Sequence, residues 1–191
     1  MGGGYFSNAG VFLIDAVFGL YIFAVLLRFL FQLVRADFYN PLCQAIVTVT
    51  NPPLRPLRRY VPSMAGLDTA SILLLLVLQM ANTLLVALVL GLGPNPVGLL
   101  VVAIAELLGK VAWTFIGAII IQVVLSWVSP GAYNPVSSVV HSLTEPLLAP
   151  ARRVLPPLGA IDLSPLVVIL GLQLAQILVV APLRDLGATL F

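Results

Sequence analysis

The chain has 191 residues, of which 61% are hydrophobic and only 8% are charged, and its formal net charge is +2 at pH 7. A soluble domain carries about a quarter charged residues, so this composition excludes an ordinary soluble globular protein. The small positive charge, placed beside apolar segments, also argues against a nucleic-acid partner and is better explained by membrane orientation and headgroup contacts. The sequence therefore predicts an integral membrane protein whose main partner is a phospholipid membrane.

The first spanning helix is predicted over residues 11–34. This apolar run is longer than the hydrophobic part of a cleaved signal peptide, so we expect a retained anchor. Arg28 lies close to its end and leaves two interpretations open. Its side chain could snorkel to the membrane interface, or it could be a buried charge that pairs across the helix bundle.

The next stretch, residues 40–68, occurs a second time at residues 134–162, at an offset of 94 residues (134 − 40). The two copies align without a gap and share an Asn-Pro step, a pair of arginines and an aspartate: Asn40 and Asn134, Arg58 and Arg59 with Arg152 and Arg153, and Asp68 and Asp162. A match of this kind indicates an internal duplication. The same register aligns Arg28 with the uncharged Gln122, which favours the snorkelling interpretation.

Each copy begins with a short amphipathic segment, predicted as a helix over residues 41–50 and 135–144. Asn40 and Asn134 precede a proline, an arrangement typical of a helix N-cap followed by a first-turn proline. About ten residues cannot span a bilayer, so the helix is either interfacial or re-entrant. Prolines follow and predict a kinked segment with no longer helix: Pro52, Pro53, Pro56 and Pro62, then Pro146, Pro150, Pro156 and Pro157.

The second span is predicted over residues 68–90, with Asp68 as its N-cap. Gln79 and Asn82 lie one turn apart on one face of this helix, and Gln173 and Gln176 occupy the equivalent positions in the last span. Amides in an apolar helix usually form hydrogen bonds between helices, so we predict that these four residues pack helices together. A substrate path is the alternative.

The apolar stretch at 97–129 would be ~50 Å long as one straight helix, which exceeds the hydrocarbon core. It is therefore either broken near Gly109 or strongly tilted, and the repeat register places the third span at 109–129. Glu106 and Lys110 are spaced for a pair on the helix surface. The last span is predicted over 164–180, closed by Pro182, and Arg184 is expected to be balanced by Asp185.

Together these elements predict an all-α membrane protein with four transmembrane helices in two tandem parallel two-helix repeats, at 1–94 and 95–191. Each repeat has its interfacial or re-entrant helix between its two spans. The arginine pairs then lie on one side of the membrane, and the excess of basic residues on that side predicts that it is cytoplasmic, with both termini outside.

The runs LVRADFYNPLCQAIVTVTNPPLRPLRR and GAIDLSPLVVILGLQ resemble the YggT family of bacterial and plastid membrane proteins. The second copy contains the Gly-x-x-Asp-x-Ser-Pro pattern of that family at Gly159, Asp162, Ser164 and Pro165, whereas the first copy has no proline after Asp68. The resemblance implies a bacterial inner-membrane protein, with an association with osmotic or envelope stress in bacterial relatives. It implies no molecular activity.

Two function hypotheses remain. In the first, the chain is a non-enzymatic scaffold or assembly factor whose arginine pairs bind lipid headgroups or a partner, with Asp68, Asp162, Asn40 and Asn134 beside them; the competing view is that the arginines only set topology and the aspartates only cap helices. In the second, the chain is a small channel or transporter, as a monomer or as an oligomer, with its proline-broken half-helices along the path. The single histidine, His141, and the single cysteine, Cys43, form no catalytic or metal-binding set. We therefore predict no enzyme, no cofactor and no metal site.

Overall fold

The fold comes from a computed structural model that describes residues 3–64, 66–128, 134–154 and 162–191. Within these ranges the chain is helical apart from short connections and has no β-strand. The helices are α1 (Gly3–Leu33), α2 (Pro41–Tyr60), α3 (Thr69–Val89), α4 (Pro96–Val128), α5 (Pro135–Val154), α6 (Ser164–Ala175) and α7 (Ala181–Ala188), and a π-helical turn, Gln176–Val180, joins α6 to α7. Helices α1, α3, α4 and the continuous α6–α7 are long and apolar enough to cross a membrane. The predicted all-α class with four spans is confirmed.

The two halves of the chain form equivalent units. In the first, α1 packs against α2 and α3, and in the second, α4 packs against α5 and α7. The units meet mainly where α3 packs on α4, and α5 also contacts α1 and α2. The side-chain amide of Asn40 donates a hydrogen bond to the carbonyl of Pro135 at 2.6 Å. The first turns of α2 and α5 therefore meet at one end of the bundle, which is the arrangement expected of parallel repeats.

The core lies where α1, α3, α4 and α5 converge. Its largest buried side chains come from one face of α1, which is apolar all round: Ile22, Val25, Leu26 and Leu30. Leu75 of α3, Ala118 of α4 and Leu143 of α5 close around them. Many large apolar side chains of the spans point outward instead, as in a helix bundle surrounded by lipid.

The predicted short helices at 41–50 and 135–144 are too short. Helices α2 and α5 each have 20 residues and continue through their internal prolines. Proline removes one N–H and kinks a helix, but the helix can continue where another donor reaches the released carbonyl. Pro53 releases the carbonyl of Val49, and the hydroxyl of Tyr21 lies 3.5 Å from it. The arginine pairs consequently lie in the last turns of α2 and α5 and not in an irregular loop.

Two spans begin earlier in the chain than predicted. Helix α1 begins at Gly3, because no helix breaker separates the aromatic residues Tyr5 and Phe6 from the apolar run that follows. Helix α4 is one 33-residue helix without a break at Gly109, since a single glycine weakens a helix without ending it. The expected kinks at Pro156 and Pro157, and the family glycine Gly159, lie outside the described residues.

The last span does not stop before Pro182. The N–H of Ala181 bonds to the carbonyl of Gln176, five residues earlier, and this wider π turn directly precedes the proline. Pro182 then occupies the first turn of α7, where its missing N–H leaves no hydrogen bond unmade. The span therefore continues to Ala188.

Candidate functional site

In the first repeat, an arginine at the end of the amphipathic helix contacts the aspartate that starts the next span. The Arg58 guanidinium pairs with the carboxylate of Asp68, which is only 3% exposed. Asp68 also accepts hydrogen bonds from the hydroxyl of Ser71 at 2.7 Å and from the Ser71 backbone N–H at 3.3 Å. One carboxylate thus caps α3 and anchors the end of α2.

The second repeat has the equivalent contact in a more exposed form. Arg152 Nε lies 3.0 Å from Asp162 Oδ2, and its Nη1 lies 2.9 Å from Glu145 Oε2. Asp162 accepts the N–H of Ser164, in the first turn of α6, at 2.9 Å. The Asp162 side chain is 47% exposed. The repeat therefore keeps the bridge between helices but leaves it open to solvent or headgroups.

These contacts lower the pKa of both carboxyl groups. Burial by itself raises the pKa of Asp68, but the hydrogen bonds from Arg58 and Ser71 and the charge of Arg58 outweigh it, so the pKa lies below its ordinary value. For Asp162, burial again raises the pKa, and the hydrogen bonds from Ser164 and Arg152 lower it further than burial raises it. Both aspartates are therefore ionised at neutral pH.

The second arginine of each pair is different. Arg59 and Arg153 are exposed in the last turns of α2 and α5, and neither has an ion-pair or hydrogen-bond partner among the described residues. Near the first pair is a cavity of about 400 Å³, lined by Gln32, Arg58, Val61, Pro62, Ser63 and Asp68. Each arginine pair thus contains one engaged guanidinium and one free guanidinium.

The two asparagines begin the amphipathic helices. Asn40 is buried, and its side-chain oxygen accepts the N–H of Leu42 at 2.9 Å. Asn134 accepts the N–H of Ser137 at 2.8 Å. Because the amide of Asn40 also reaches Pro135 in the other repeat, its position is structural, and it lies away from the free arginines at the opposite end of α2.

Arg28 does not snorkel. It is 5% exposed, and its Nη1 donates to Thr50 Oγ1 at 2.8 Å and to Asn51 Oδ1 at 2.8 Å, with the carbonyl of Val47 at 3.3 Å. Alignment with the uncharged Gln122 favoured a snorkelling Arg28, and this prediction was wrong. Helix α2 packs against α1 and brings these acceptors to the guanidinium. Gln122 makes the equivalent contact, accepting a hydrogen bond from Thr144. The repeat register, which aligns Thr50 with Thr144, was the signal that could have found this pair of contacts.

The four amides of the spans have different surroundings. Asn82 donates to Asp15 Oδ1 at 3.0 Å and Gln176 donates to the carbonyl of Gly109 at 3.1 Å, both from one helix to another. Gln79 donates to Thr83 in its own helix at 3.4 Å. Gln173 is half-buried and forms no hydrogen bond within the described part of the chain.

The charged pair of α4 has a third member. Glu106 lies 3.6 Å from Lys110, and Arg184 reaches it at 2.8 Å from α7. Arg184 is therefore balanced by Glu106 and not by its neighbour Asp185, because α7 packs against α4. The contact joins α7 to the first half of α4.

Comparison with known proteins gives the family. The family model described as CCB3/YggT matches the chain twice, over residues 7–89 and 101–183. The chain belongs to the YggT family. The two matches begin 94 residues apart, which is the register of the repeat, so this chain is a tandem YggT protein. No solved structure matches it.

Three bacterial relatives cover nearly the whole chain. An uncharacterised protein of Pseudomonas aeruginosa is 43% identical over 91% of this chain and 89% of its own length. A protein from the proC 3′ region of Vibrio alginolyticus is 40% identical over 90% of this chain and 93% of its own. The YggT protein of Escherichia coli K12 is 34% identical over 94% of both. All three are named as uncharacterised, and none carries an enzyme name.

Proposed function

We propose that this YggT protein is a non-enzymatic scaffold of the bacterial inner membrane that binds anionic phospholipid headgroups through Arg59 and Arg153. The observation that carries the proposal is that the two arginines of each pair differ in their contacts. Arg58 and Arg152 are held by carboxylates, whereas their neighbours are exposed without a partner in the described structure. Two free guanidinium groups then face the headgroup layer from the same side of the bundle.

The chemistry of these positions suits a phosphate. The planar guanidinium can donate two hydrogen bonds to one phosphate group. Both ends of α2 carry an exposed tyrosine: Tyr60, next to Arg59, is 84% exposed, and Tyr39, just before the start of the helix, is 89% exposed. Tyrosines of this kind are enriched at the membrane–water interface. We infer that α2 and α5 lie at that interface, with the free arginines at headgroup depth.

Lipid retention tests the proposal. The purified protein in mild detergent is mixed with phosphatidylglycerol or phosphatidylcholine, and bound lipid is counted by native mass spectrometry. We expect a preference for phosphatidylglycerol that R59Q/R153Q abolishes without lowering the melting temperature. The matched pair R58Q/R152Q should lower the melting temperature, because it removes partners of the helix caps. An anionic preference that survives R59Q/R153Q would refute the proposal.

The cellular role that we propose is support of the envelope under osmotic stress, as an assembly or stress-response factor. In a bacterium lacking its own YggT protein, the wild-type chain should restore growth after a hyperosmotic shift, and R59Q/R153Q should not. Restoration by the variant would separate the stress role from headgroup binding. The amount of protein in the membrane must be equal in both strains.

A small channel or transporter is the second candidate, and one observation favours it. A polar cavity of about 350 Å³ lies between α1, α3 and α4, within the spanning part of the bundle. Ion flux in proteoliposomes distinguishes the candidates. Specific flux that is lost on substitution of the four arginines, Arg58, Arg59, Arg152 and Arg153, would favour transport over the scaffold function. Vesicles that show no flux would support the scaffold function.

A further inference from the structure

The cavity between α1, α3 and α4 contains a group of polar side chains that the proposed scaffold function does not use. It lies at the junction of the two repeats, since α4 belongs to the second repeat and the other two helices to the first. Asp15 is about 18 Å from the start of α1 at 1.5 Å per residue, which is well inside the span. The polar lining consists of Asp15, Gln79, Asn82, Thr83, Glu106 and Lys110.

Two oxygen atoms that belong to lining residues of this cavity have no partner. Gln79 is 2% exposed and Asn82 is 6% exposed, and the amide oxygens Gln79 Oε1 and Asn82 Oδ1 accept no hydrogen bond. Their nitrogens are engaged, with Thr83 and with Asp15 respectively. A buried acceptor without a donor is costly, and inside a membrane the cost is greater. The pair of oxygens indicates a ligand that is attracted to electron-rich oxygen atoms.

The charges of the cavity point to a cation. Glu106 has two cationic partners, Lys110 at 3.6 Å and Arg184 at 2.8 Å. Asp15 receives only the neutral amide of Asn82 within the described structure. An ionisable group inside a span normally pairs with a compensating charge. Asp15 is the carboxylate of this cavity that no cationic side chain contacts in the described structure.

The second repeat provides an internal comparison. The position equivalent to Asp15 is Gly109, and the position equivalent to Asn82 is Gln176. These two residues also contact each other, through the Gln176 amide and the Gly109 carbonyl at 3.1 Å. The second repeat thus keeps the packing contact without a carboxylate. Asp15 is therefore not needed for that contact, which leaves its charge available for a ligand.

We propose that Asp15, together with the amide oxygens of Gln79 and Asn82, forms a binding site for a monovalent alkali cation. All three residues offer hard oxygen ligands, the kind that alkali and alkaline-earth cations prefer. The described residues contain no group of three or more His, Cys, Asp or Glu that could hold a metal ion, so a transition metal fits less well. The single negative charge of the Asp15 carboxylate matches the single positive charge of an alkali cation. The site is independent of headgroup binding at the other end of the helices, and it does not require that the cation crosses the membrane.

Thermal unfolding of the full chain in detergent tests the site. Melting temperatures are compared in NaCl, KCl and choline chloride at equal ionic strength and over a range of concentrations. We expect sodium or potassium, but not choline, to raise the melting temperature of the wild type in a saturable way. D15N keeps an acceptor for Asn82 but removes the charge, and it should abolish the effect. The matched control is D185N, which replaces an exposed carboxylate of α7 and should leave the effect unchanged.

A second variant and a second measurement cover the case in which D15N does not fold. Q79M keeps the side-chain length but removes the amide, and with it one of the proposed oxygen ligands and the hydrogen bond to Thr83. It should weaken the apparent affinity by at least about tenfold, since loss of a group that merely supports a metal ligand already costs about 10–100-fold. Infrared difference spectra of the wild type should show a shift of the Asp15 carboxylate stretch when choline replaces the alkali cation.

Three results would overturn the proposal. The first is a wild-type melting temperature that is the same in all three salts. The second is an alkali-specific rise that persists in D15N or, should D15N not fold, in Q79M. The third is an infrared spectrum in which no carboxylate band responds to the exchange of alkali cation for choline.

Discussion

At the residue scale, the repeat shows how one contact is made in two ways. Thr50 accepts a hydrogen bond from the charged Arg28, whereas Thr144 donates one to the neutral Gln122. Both threonines are fully buried and tie an amphipathic helix to the span before it. The contact is therefore a common feature of the two units, and the charge is specific to the first. Hydrogen bonds to charged groups contribute more than neutral ones.

This difference predicts unequal effects for the same substitution. T50V leaves a buried guanidinium short of one acceptor and should destabilise the protein by about 1.5–3 kcal/mol. T144V removes a neutral hydrogen bond and should cost only about 0.5–1.5 kcal/mol. Unfolding in a mixed detergent–denaturant series measures both. Equal losses would show that the charge of Arg28 is satisfied without Thr50.

Acid should weaken the contact between α2 and α3. The pKa of Asp68 is lower in the folded protein than its ordinary value of about 3.9. The stabilisation is therefore complete above that ordinary value and is lost as the pH falls through the lower folded value. Melting temperatures should decrease on acidification below about pH 4, the ordinary aspartate range, and D68N should decrease less steeply than the wild type.

At the element scale, the end of the chain is held by close backbone packing. A Cβ atom at Gly187 of α7 would lie 2.6 Å from Val102 Cγ2 and 2.9 Å from the Val102 nitrogen, and 3.2 Å from the Gly98 carbonyl. Glycine allows this approach between α4 and α7, as small residues do between membrane helices. The contact brings Arg184 of α7 within reach of Glu106.

Substitution of this glycine should loosen α7. We expect G187A to destabilise the protein by about 1–3 kcal/mol, the usual cost of overpacking. It should also weaken the contact between Arg184 and Glu106. The control G171A adds the same methyl group to α6, where nothing lies within 4 Å, and it should have little effect. Hydrogen exchange of α7 distinguishes local loosening, which we expect, from a uniform change, which would contradict this account.

At the scale of the whole molecule, the parallel arrangement of the repeats makes a prediction about sidedness. The first turns of α2 and α5 meet, so the arginine-bearing helices lie at one end of the bundle. The bias of basic residues predicts that this end is cytoplasmic and that both termini are outside. Single cysteines at Ser7, Ser63 and Asn95, in a C43A background, can be labelled from either side. Ser63 should react only from the cytoplasmic side, and labelling of Asn95 from that side would reverse the topology.

The native Cys43 should react only slowly with the labelling reagent in this experiment. It is fully buried, and burial, helped by the negative charge of Asp37, raises the pKa of its thiol. The reactive thiolate is therefore scarce at neutral pH. Its replacement by alanine removes the remaining background signal.

Much of the fold could be predicted from the sequence because it depends on local properties. Composition and long apolar runs determined the membrane class and the four spans, and matching residues at one offset determined the duplication. Boundaries were less predictable. The prolines of α2 and α5 were expected to end these helices, but both helices continue through them, and in α2 the hydroxyl of Tyr21 reaches the carbonyl that Pro53 releases.

The candidate sites depended on contacts between distant segments, so only the tertiary structure decided them. Arg59 and Arg58 are equivalent in the sequence, and packing of Asp68 against the end of α2 separates the engaged arginine from the free one. Arg28 is a second case, because its acceptors lie in α2, a helix that begins more than ten residues later. Asp15 had no visible role until α3 placed Asn82 beside it. A sequence records which side chains are present, whereas a site requires that particular ones meet.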